Sequence, residues 1–152
     1  MSTDYLRELI AHYAGRRGVL LVALQDIQDH AGYIPQEAIV PLARALSIPE
    51  GEVLAVISFY KDLRTTPPGR HRLCVCRGDS CAALGSHRIA EAVQEHLDIS
   101  PGGTSADGQV SYDTVYCLGN CALSPSISID GEVHGRTTPE QVLGRLKELP
   151  HD

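Results

Sequence analysis

Apolar positions in the first sixty residues recur every three or four places. Within residues 4–14, Leu6, Leu9, Ile10 and Tyr13 fall on one helical face, and Leu20, Leu21, Leu24 and Ile27 repeat the pattern. After the turn signal HAGYIPQ, a third stripe of Ile39, Leu42, Ala43 and Leu46 follows Pro35, which suits the first turn of a helix. Pro41 lies inside that stripe and removes a backbone donor, so a kink or a later helix start is expected there. SIPE, residues 47–50, has the Ser-x-x-Glu form of a capping box ahead of Val53, Val56 and Ile57. The expectation is four short helices and no strand.

RTTPPGRH, residues 64–71, breaks this rhythm with adjacent prolines and a glycine. The boundary is placed near residue 68, giving a helical domain over 1–68 and a second domain over 69–152. In the second half RLCVC reads as a strand, residues 80–97 as a helix with Ile89, Val93 and Leu97 on one face, and QVSYDTVYC as another strand. SISIDGEVHG reads as two strands joined at Asp130-Gly131, a type I′ turn signal. Thr138 to Gln141 resembles a capping box with Pro139 at the first helical position, opening a helix through Val142, Leu143, Leu146 and Leu149. PGGTSADGQ, residues 101–109, reads as a surface loop. The fold class is therefore α+β, an N-terminal helical bundle followed by a small mixed domain.

Composition narrows the function. The chain of 152 residues is 43% hydrophobic and 21% charged, an ordinary globular balance that supports a core without covalent staples. The net charge of −6 and the lack of a Lys/Arg cluster argue against a nucleic-acid partner. The opening MSTDYLRELI resembles neither a secretory nor a transit peptide, and the longest apolar run, VLLVAL, is far shorter than the ~20 residues that span a bilayer. A cytoplasmic protein without direct membrane insertion is expected, and in that reducing compartment its five cysteines suit metal ligation or thiol chemistry better than disulfides.

Four residues separate Cys76 from Cys81, three separate Cys117 from Cys121, and 35 lie between the pairs. Each pair follows an expected strand, so two loops at one sheet edge could converge on a four-thiolate site. Cys74 lies two residues before Cys76 and is read as a small buried hydrophobe. Gly78, Gly85 and Gly119 would let backbone amides approach sulfur. Asp79 or Ser80 could cap a helix beginning beside Cys81, and Arg77 is either a nearby positive charge or a solvated surface residue. Spacing alone permits structural zinc or an iron–sulfur cluster.

The sequences CRGDSC and YCLGNCALSP around these cysteines resemble the thioredoxin-like [2Fe–2S] ferredoxin family, which includes the flavin-adjacent [2Fe–2S] subunit of respiratory complex I. LQDIQDHAGYIPQEAI, SFY at 58–60 and VHGRTTPEQV extend the likeness from about residue 20 onward. The wording NCALSP and DGEVHGRTTPE is most similar to the gamma subunits of NAD-dependent formate dehydrogenases. Complex I and NAD-reducing hydrogenase use equivalent subunits. Pro41, and Leu63 where an aromatic is expected after SFY, depart from the family pattern.

The resemblance implies a thioredoxin-like domain holding one [2Fe–2S] cluster, with Cys76, Cys81, Cys117 and Cys121 as both metal ligands and cofactor-binding residues. It also implies single-electron exchange with a flavin- and NAD-binding partner subunit, and further iron–sulfur or substrate-oxidising subunits in the same complex. FMN and NAD belong on that partner, since the chain has neither G-x-G-x-x-G nor a Walker A sequence. No acid, base or nucleophile constellation stands out, so catalytic residues are not assigned. The rivals are a zinc-stabilised binding module and a thioredoxin-like oxidoreductase, the latter weakened by the lack of any C-x-x-C. Pro125 precedes SISID where a cis peptide bond is common in thioredoxin folds, an ordinary trans turn being the alternative. Ser58, Phe59 and Tyr60 read either as a partner-facing patch or as a helix end packed on the second half.

Overall fold

A computed structural model describes residues 3–150; residues 1–2 and 151–152, at the outer ends of the two expected halves, lie outside it. The chain forms two compact units, one ending at Pro67 and the other beginning at Pro68.

The first unit contains α1 (Thr3–Tyr13), α2 (Leu20–Ala31), α3 (Gln36–Leu46) and α4 (Glu50–Phe59). Leu6, Ile10, Tyr13, Leu24, Ile27, Ile39, Leu42, Ala43 and Leu46 supply its core, so the helical stripes are its buried faces. Such a face, rather than intrinsic propensity, stabilises helices of ten to twelve residues. Pro41 neither ends nor delays α3, which runs on from Gln36. The proline is exposed, and so is Glu37, whose carbonyl loses its usual donor and can be served by water. The capping box expected at residues 47–50 does not form. Ser47 closes α3 in a left-handed conformation (φ 57°), its amide bonding back to Ala43 and Arg44, while Pro49 precedes α4 with no side-chain cap. Leu63, the departure from the family's aromatic, is buried in this core. Its loop is tied down by Gln28, which donates to the Asp62 carbonyl and accepts from the Arg64 amide, each at 2.7 Å.

The second unit has a four-stranded sheet in the order β2 (Val110–Val115), β1 (His71–Cys76), β3 (Ile127–Ile129), β4 (Glu132–His134). β1 pairs parallel with β2 and antiparallel with β3, and β3 pairs antiparallel with β4. Leu73 and Val75 of β1 join Val110, Tyr112, Ile127 and Ile129 in a core with α6 (Ser86–Leu97) and α7 (Pro139–Lys147). Ile89, Ala90 and Val93 come from α6, and Val142 and Leu146 from α7. The helix expected over 80–97 is two, α5 (Asp79–Ala83) and α6, because Gly85 adopts φ 90° between them.

The β3–β4 hairpin turns at Asp130 (φ 51°) and Gly131 (φ 87°), both left-handed as a type I′ turn requires. Thr138 and Gln141 form the reciprocal capping box with Pro139 at the start of α7. These local signals agree with the expected class: the protein is α+β, with the helices of the first unit preceding a four-stranded mixed sheet that packs with α6 and α7.

Candidate metal centre

Parallel pairing of adjacent strands sends the C-terminal ends of β1 and β2 to the same sheet edge, with Cys76 opposite Val115. Cys76 is the last residue of β1, and Cys81 follows within α5. Cys117 lies just beyond β2, and Cys121 begins a single 3₁₀ turn, Cys121–Leu123.

The two loops are stitched together. The Cys76 amide donates to the Ser126 carbonyl at 3.0 Å and the Arg77 amide to the Val115 carbonyl at 2.7 Å. The Ser80 hydroxyl lies 3.4 Å from the Cys121 carbonyl.

Within the pairs the environments differ. Cys76 and Cys81 are 3% and 2% exposed, whereas Cys117 and Cys121 are open to solvent with their sulfurs 3.9 Å apart. Burial pushes the Cys76 thiol up, against the lowering influence of the Gly78 and Leu118 amides. Burial also opposes ionisation of Cys81, but hydrogen bonding from Ser124, Cys76 and Ser126 outweighs it and holds that thiol below its ordinary value. The neighbouring Cys117 thiol raises Cys121, with smaller contributions from burial, Cys81 and Cys76. Cys121 in the second loop therefore feels both thiols of the first.

Two of the three expected glycines have the anticipated place. The Gly119 amide, in a left-handed residue (φ 73°), lies 3.2 Å from the Cys117 sulfur. A Cβ on Gly78 would sit 2.5 Å from the Tyr116 carbonyl oxygen and 3.7 Å from the Cys76 sulfur, so the close approach of the loops needs a residue without a side chain. Gly85 differs: its amide bonds to the Ala82 carbonyl, and its role is the break between α5 and α6. Nor do Asp79 or Ser80 cap α5. Gly78 is the capping residue, and the Ser80 hydroxyl turns instead toward Cys121 and Ser124. Arg77 is exposed. Cys74 is half-buried rather than buried, because it lies across from Asp113 and Ser128 instead of facing the helices.

Sequence reasoning missed a group of small hydroxyl residues. Ser124 is 8% exposed and its Oγ lies 3.3 Å from the Cys81 sulfur, 3.0 Å from Ser80 Oγ and 2.9 Å from the Cys121 carbonyl. Ser126 is buried and accepts from the Asn120 side chain at 3.2 Å. The signal available was the alternation of serines in SPSIS, directly after the second cysteine pair. The Ser124–Pro125 peptide bond is cis.

Among the described residues no three His, Cys, Asp or Glu side chains form a ready nest for a single ion. Two pairs of thiols with amides aimed at sulfur are the donor chemistry that four-cysteine [2Fe–2S] binding uses, and two bridged irons span more space than one ion. The residues fit that group.

A model of the thioredoxin-like [2Fe–2S] ferredoxin family matches residues 6–150. Subunit HndA of the NADP-reducing hydrogenase of Solidesulfovibrio fructosivorans is 35% identical over 133 residues, covering 88% of this chain and 78% of that one. One subunit of the NADH-quinone oxidoreductase of Escherichia coli K12 is 35% identical over 131 residues, 86% of this chain and 79% of that one. An NAD⁺-reducing [NiFe]-hydrogenase in the air-oxidised state shares the fold, with a TM-score of 0.67 at 24% identity over 86% of this chain; the match spans 22% of the hydrogenase chain. Paired cysteines on parallel strand ends, small residues packed about the sulfurs and this family match agree: the chain belongs to the thioredoxin-like [2Fe–2S] ferredoxins, whose membership implies one [2Fe–2S] cluster.

Proposed function

We propose that this chain is an electron-transfer subunit in which Cys76, Cys81, Cys117 and Cys121 hold the cluster and exchange electrons with the flavin of a partner subunit. The observation that carries the reading is the convergence of both cysteine pairs at one sheet edge. A bound [2Fe–2S] cluster supplies one-electron chemistry, which complements the two-electron hydride chemistry of a flavin.

The chain's own residues divide the remaining work. Cys76 and Cys81 anchor from the core side, and the Gly78, Leu118 and Gly119 amides favour charged sulfur. Cys117 and Cys121 lie at the surface beside exposed Tyr116 and Leu123, so this edge is where a redox partner approaches. In this reading residues 69–152 form the cluster domain, and the helical domain over 1–68 docks on the flavin- and NAD-binding subunit. Its α4 leaves Leu54 and Phe59 49% and 78% exposed, a surface suited to such docking.

The parent complex we favour is an NAD-dependent formate dehydrogenase in the cytoplasm, on the wording NCALSP and DGEVHGRTTPE. The second reading, an equivalent subunit of an NADH-quinone oxidoreductase or a pyridine-nucleotide-reducing hydrogenase, draws on the relatives at 35% identity. Among the described residues no helix is long and apolar enough to cross a membrane.

The test has two stages. Anaerobically purified protein should contain iron and acid-labile sulfide in equal amounts and show a visible charge-transfer spectrum. Colourless protein holding zinc would refute the proposal. Purification from the host with neighbours attached, followed by assays of NAD reduction with formate or hydrogen and of quinone reduction with NADH, then distinguishes the parent complexes.

A further inference from the structure

Ser124 has one hydroxyl proton and three acceptors within reach. The Cys121 carbonyl lies 2.9 Å away, Ser80 Oγ 3.0 Å and the Cys81 sulfur 3.3 Å. While Cys81 is a thiol, its own proton can point at Ser124 Oγ, leaving Ser124 to serve the Cys121 carbonyl. A sulfur that ligates iron has lost that proton. The contact between Cys81 and Ser124 then remains a hydrogen bond only if Ser124 turns its proton toward sulfur. Ser80 is placed to permit this, since its hydroxyl lies 3.4 Å from the same Cys121 carbonyl and can replace Ser124 there. Ser126 also bears on the Cys81 sulfur, but its hydroxyl is shared with the Leu123 and Asn120 carbonyls at 3.3 and 3.5 Å, so it adds to the bond from Ser124 and does not free Ser124 from the Cys121 carbonyl.

We infer that Ser80 and Ser124 form a two-hydroxyl relay that gives a hydrogen bond to the Cys81 sulfur in the loaded protein and thereby raises the cluster's reduction potential. The inference rests on Cys81 being a ligand, as proposed above. Reduction adds negative charge that is shared with the ligand sulfurs, so a donor aimed at one of them stabilises the reduced form more than the oxidised form. Burial of Ser124 keeps water from replacing the bond if the hydroxyl is removed. Ser124 is a positioning residue, acting through Cys81.

The experiment is a redox titration of the full-length, cluster-loaded protein and of Ser124→Ala, Ser124→Thr and Ser80→Ala, followed by visible circular dichroism and resonance Raman spectra in H₂O and D₂O. At a fixed ambient potential, Ser124→Ala should lower the ratio of reduced to oxidised cluster about threefold, which for one electron is about 28 mV. It should also diminish the D₂O shift of the iron–cysteine stretch. Ser124→Thr should restore both, and Ser80→Ala should move the potential in the same direction by less.

A Ser124→Ala protein with full iron and sulfide but an unchanged potential would overturn the relay. If that variant loads no cluster, Ser80→Ala decides on the same terms: a lowered potential supports the relay and an unchanged one overturns it. Wild-type protein lacking iron and sulfide overturns the ligand reading itself, an outcome distinct from an unshifted potential.

Discussion

The two cysteine pairs share a sheet edge but are held by different physics. Cys76 and Cys81 are buried beside the core of the second unit, fixed by a strand end and a short helix. Cys117 and Cys121 are exposed on a loop and a 3₁₀ turn, positioned by backbone hydrogen bonds instead of packing. The inner pair is thus costly to disturb even without metal, and the outer pair is tolerant and reachable. In the role proposed for this chain, the asymmetry divides the work: the buried pair anchors the cluster and the exposed pair faces the redox partner.

Substitution of the cysteines tests this contrast most severely. Serine at any of the four positions should reduce bound iron and sulfide at least about tenfold, measured colorimetrically after anaerobic purification, since a neutral hydroxyl replaces a thiolate. Stability of the metal-free proteins should then separate the pairs. Cys81→Ser places a hydroxyl in a buried site and should cost about 1–3 kcal/mol if unsatisfied, while Cys117→Ser should lie within about 0.5 kcal/mol of wild type by denaturant unfolding. Equal losses at both positions would remove the distinction.

Accessibility gives the next largest difference. In metal-free protein under reducing conditions, iodoacetamide should label Cys117 and Cys121 at least about tenfold faster than Cys76 and Cys81, as followed by peptide mass spectrometry. The lowered thiol of Cys81 works against this trend, but at 2% exposure access dominates. Comparable labelling of both pairs would mean that the inner sulfurs are reached as readily as the outer ones.

The glycines sharpen the comparison at the level of the backbone. Gly78→Ala sets a Cβ 2.5 Å from the Tyr116 carbonyl and should cost about 1–3 kcal/mol while lowering cluster occupancy, because the loop bearing Cys76 must move. Gly119 has open space around its Cβ position and differs only in its left-handed φ of 73°, so alanine there should cost about 1–2 kcal/mol and asparagine less. Unfolding of the metal-free variants and their iron content after reconstitution would measure both.

Signals that act within a few residues were readable in the chain. The helical stripes, the Asp130-Gly131 turn and the Thr138–Gln141 cap are each decided by local chemistry and appear in the structure. The failures involve competition or distance. Ser47 could not cap α4 because it already terminates α3, and the break at Gly85 was hidden in an otherwise helical pattern. The two cysteine pairs proposed as ligands were legible as spacing. Ser80, Ser124 and the Leu118 amide were not, because their relation to Cys76, Cys81 and Cys121 exists only after β1 and β2 pair.

The far end of β1 supplies the smallest expected effect and a control for the cysteine edge. His71 Nδ1 lies 2.7 Å from Asp130 Oδ2, and Asp130 Oδ1 accepts the Arg72 amide at 2.7 Å. The hydrogen bond that His71 donates to Asp130 raises the histidine, partly opposed by burial and helped by the Pro150 carbonyl. For Asp130 burial acts upward, but His71 and the Arg72 amide bring the carboxyl below its ordinary value. The histidine's contribution is present below its ordinary pKa of 6.5 and fades as pH rises through the raised value. The aspartate's contribution is present above its ordinary 3.8 and fades as pH falls through the lowered one. Asp130→Asn, which retains tolerance for positive φ, should therefore lose stability mainly between those ranges, with a difference from wild type that shrinks above neutrality. Because the pair is partly exposed, the loss should be no more than about 1 kcal/mol and should decrease with salt. Iron content should stay unchanged, so a variant that lost its cluster would show that the two ends of β1 are not independent.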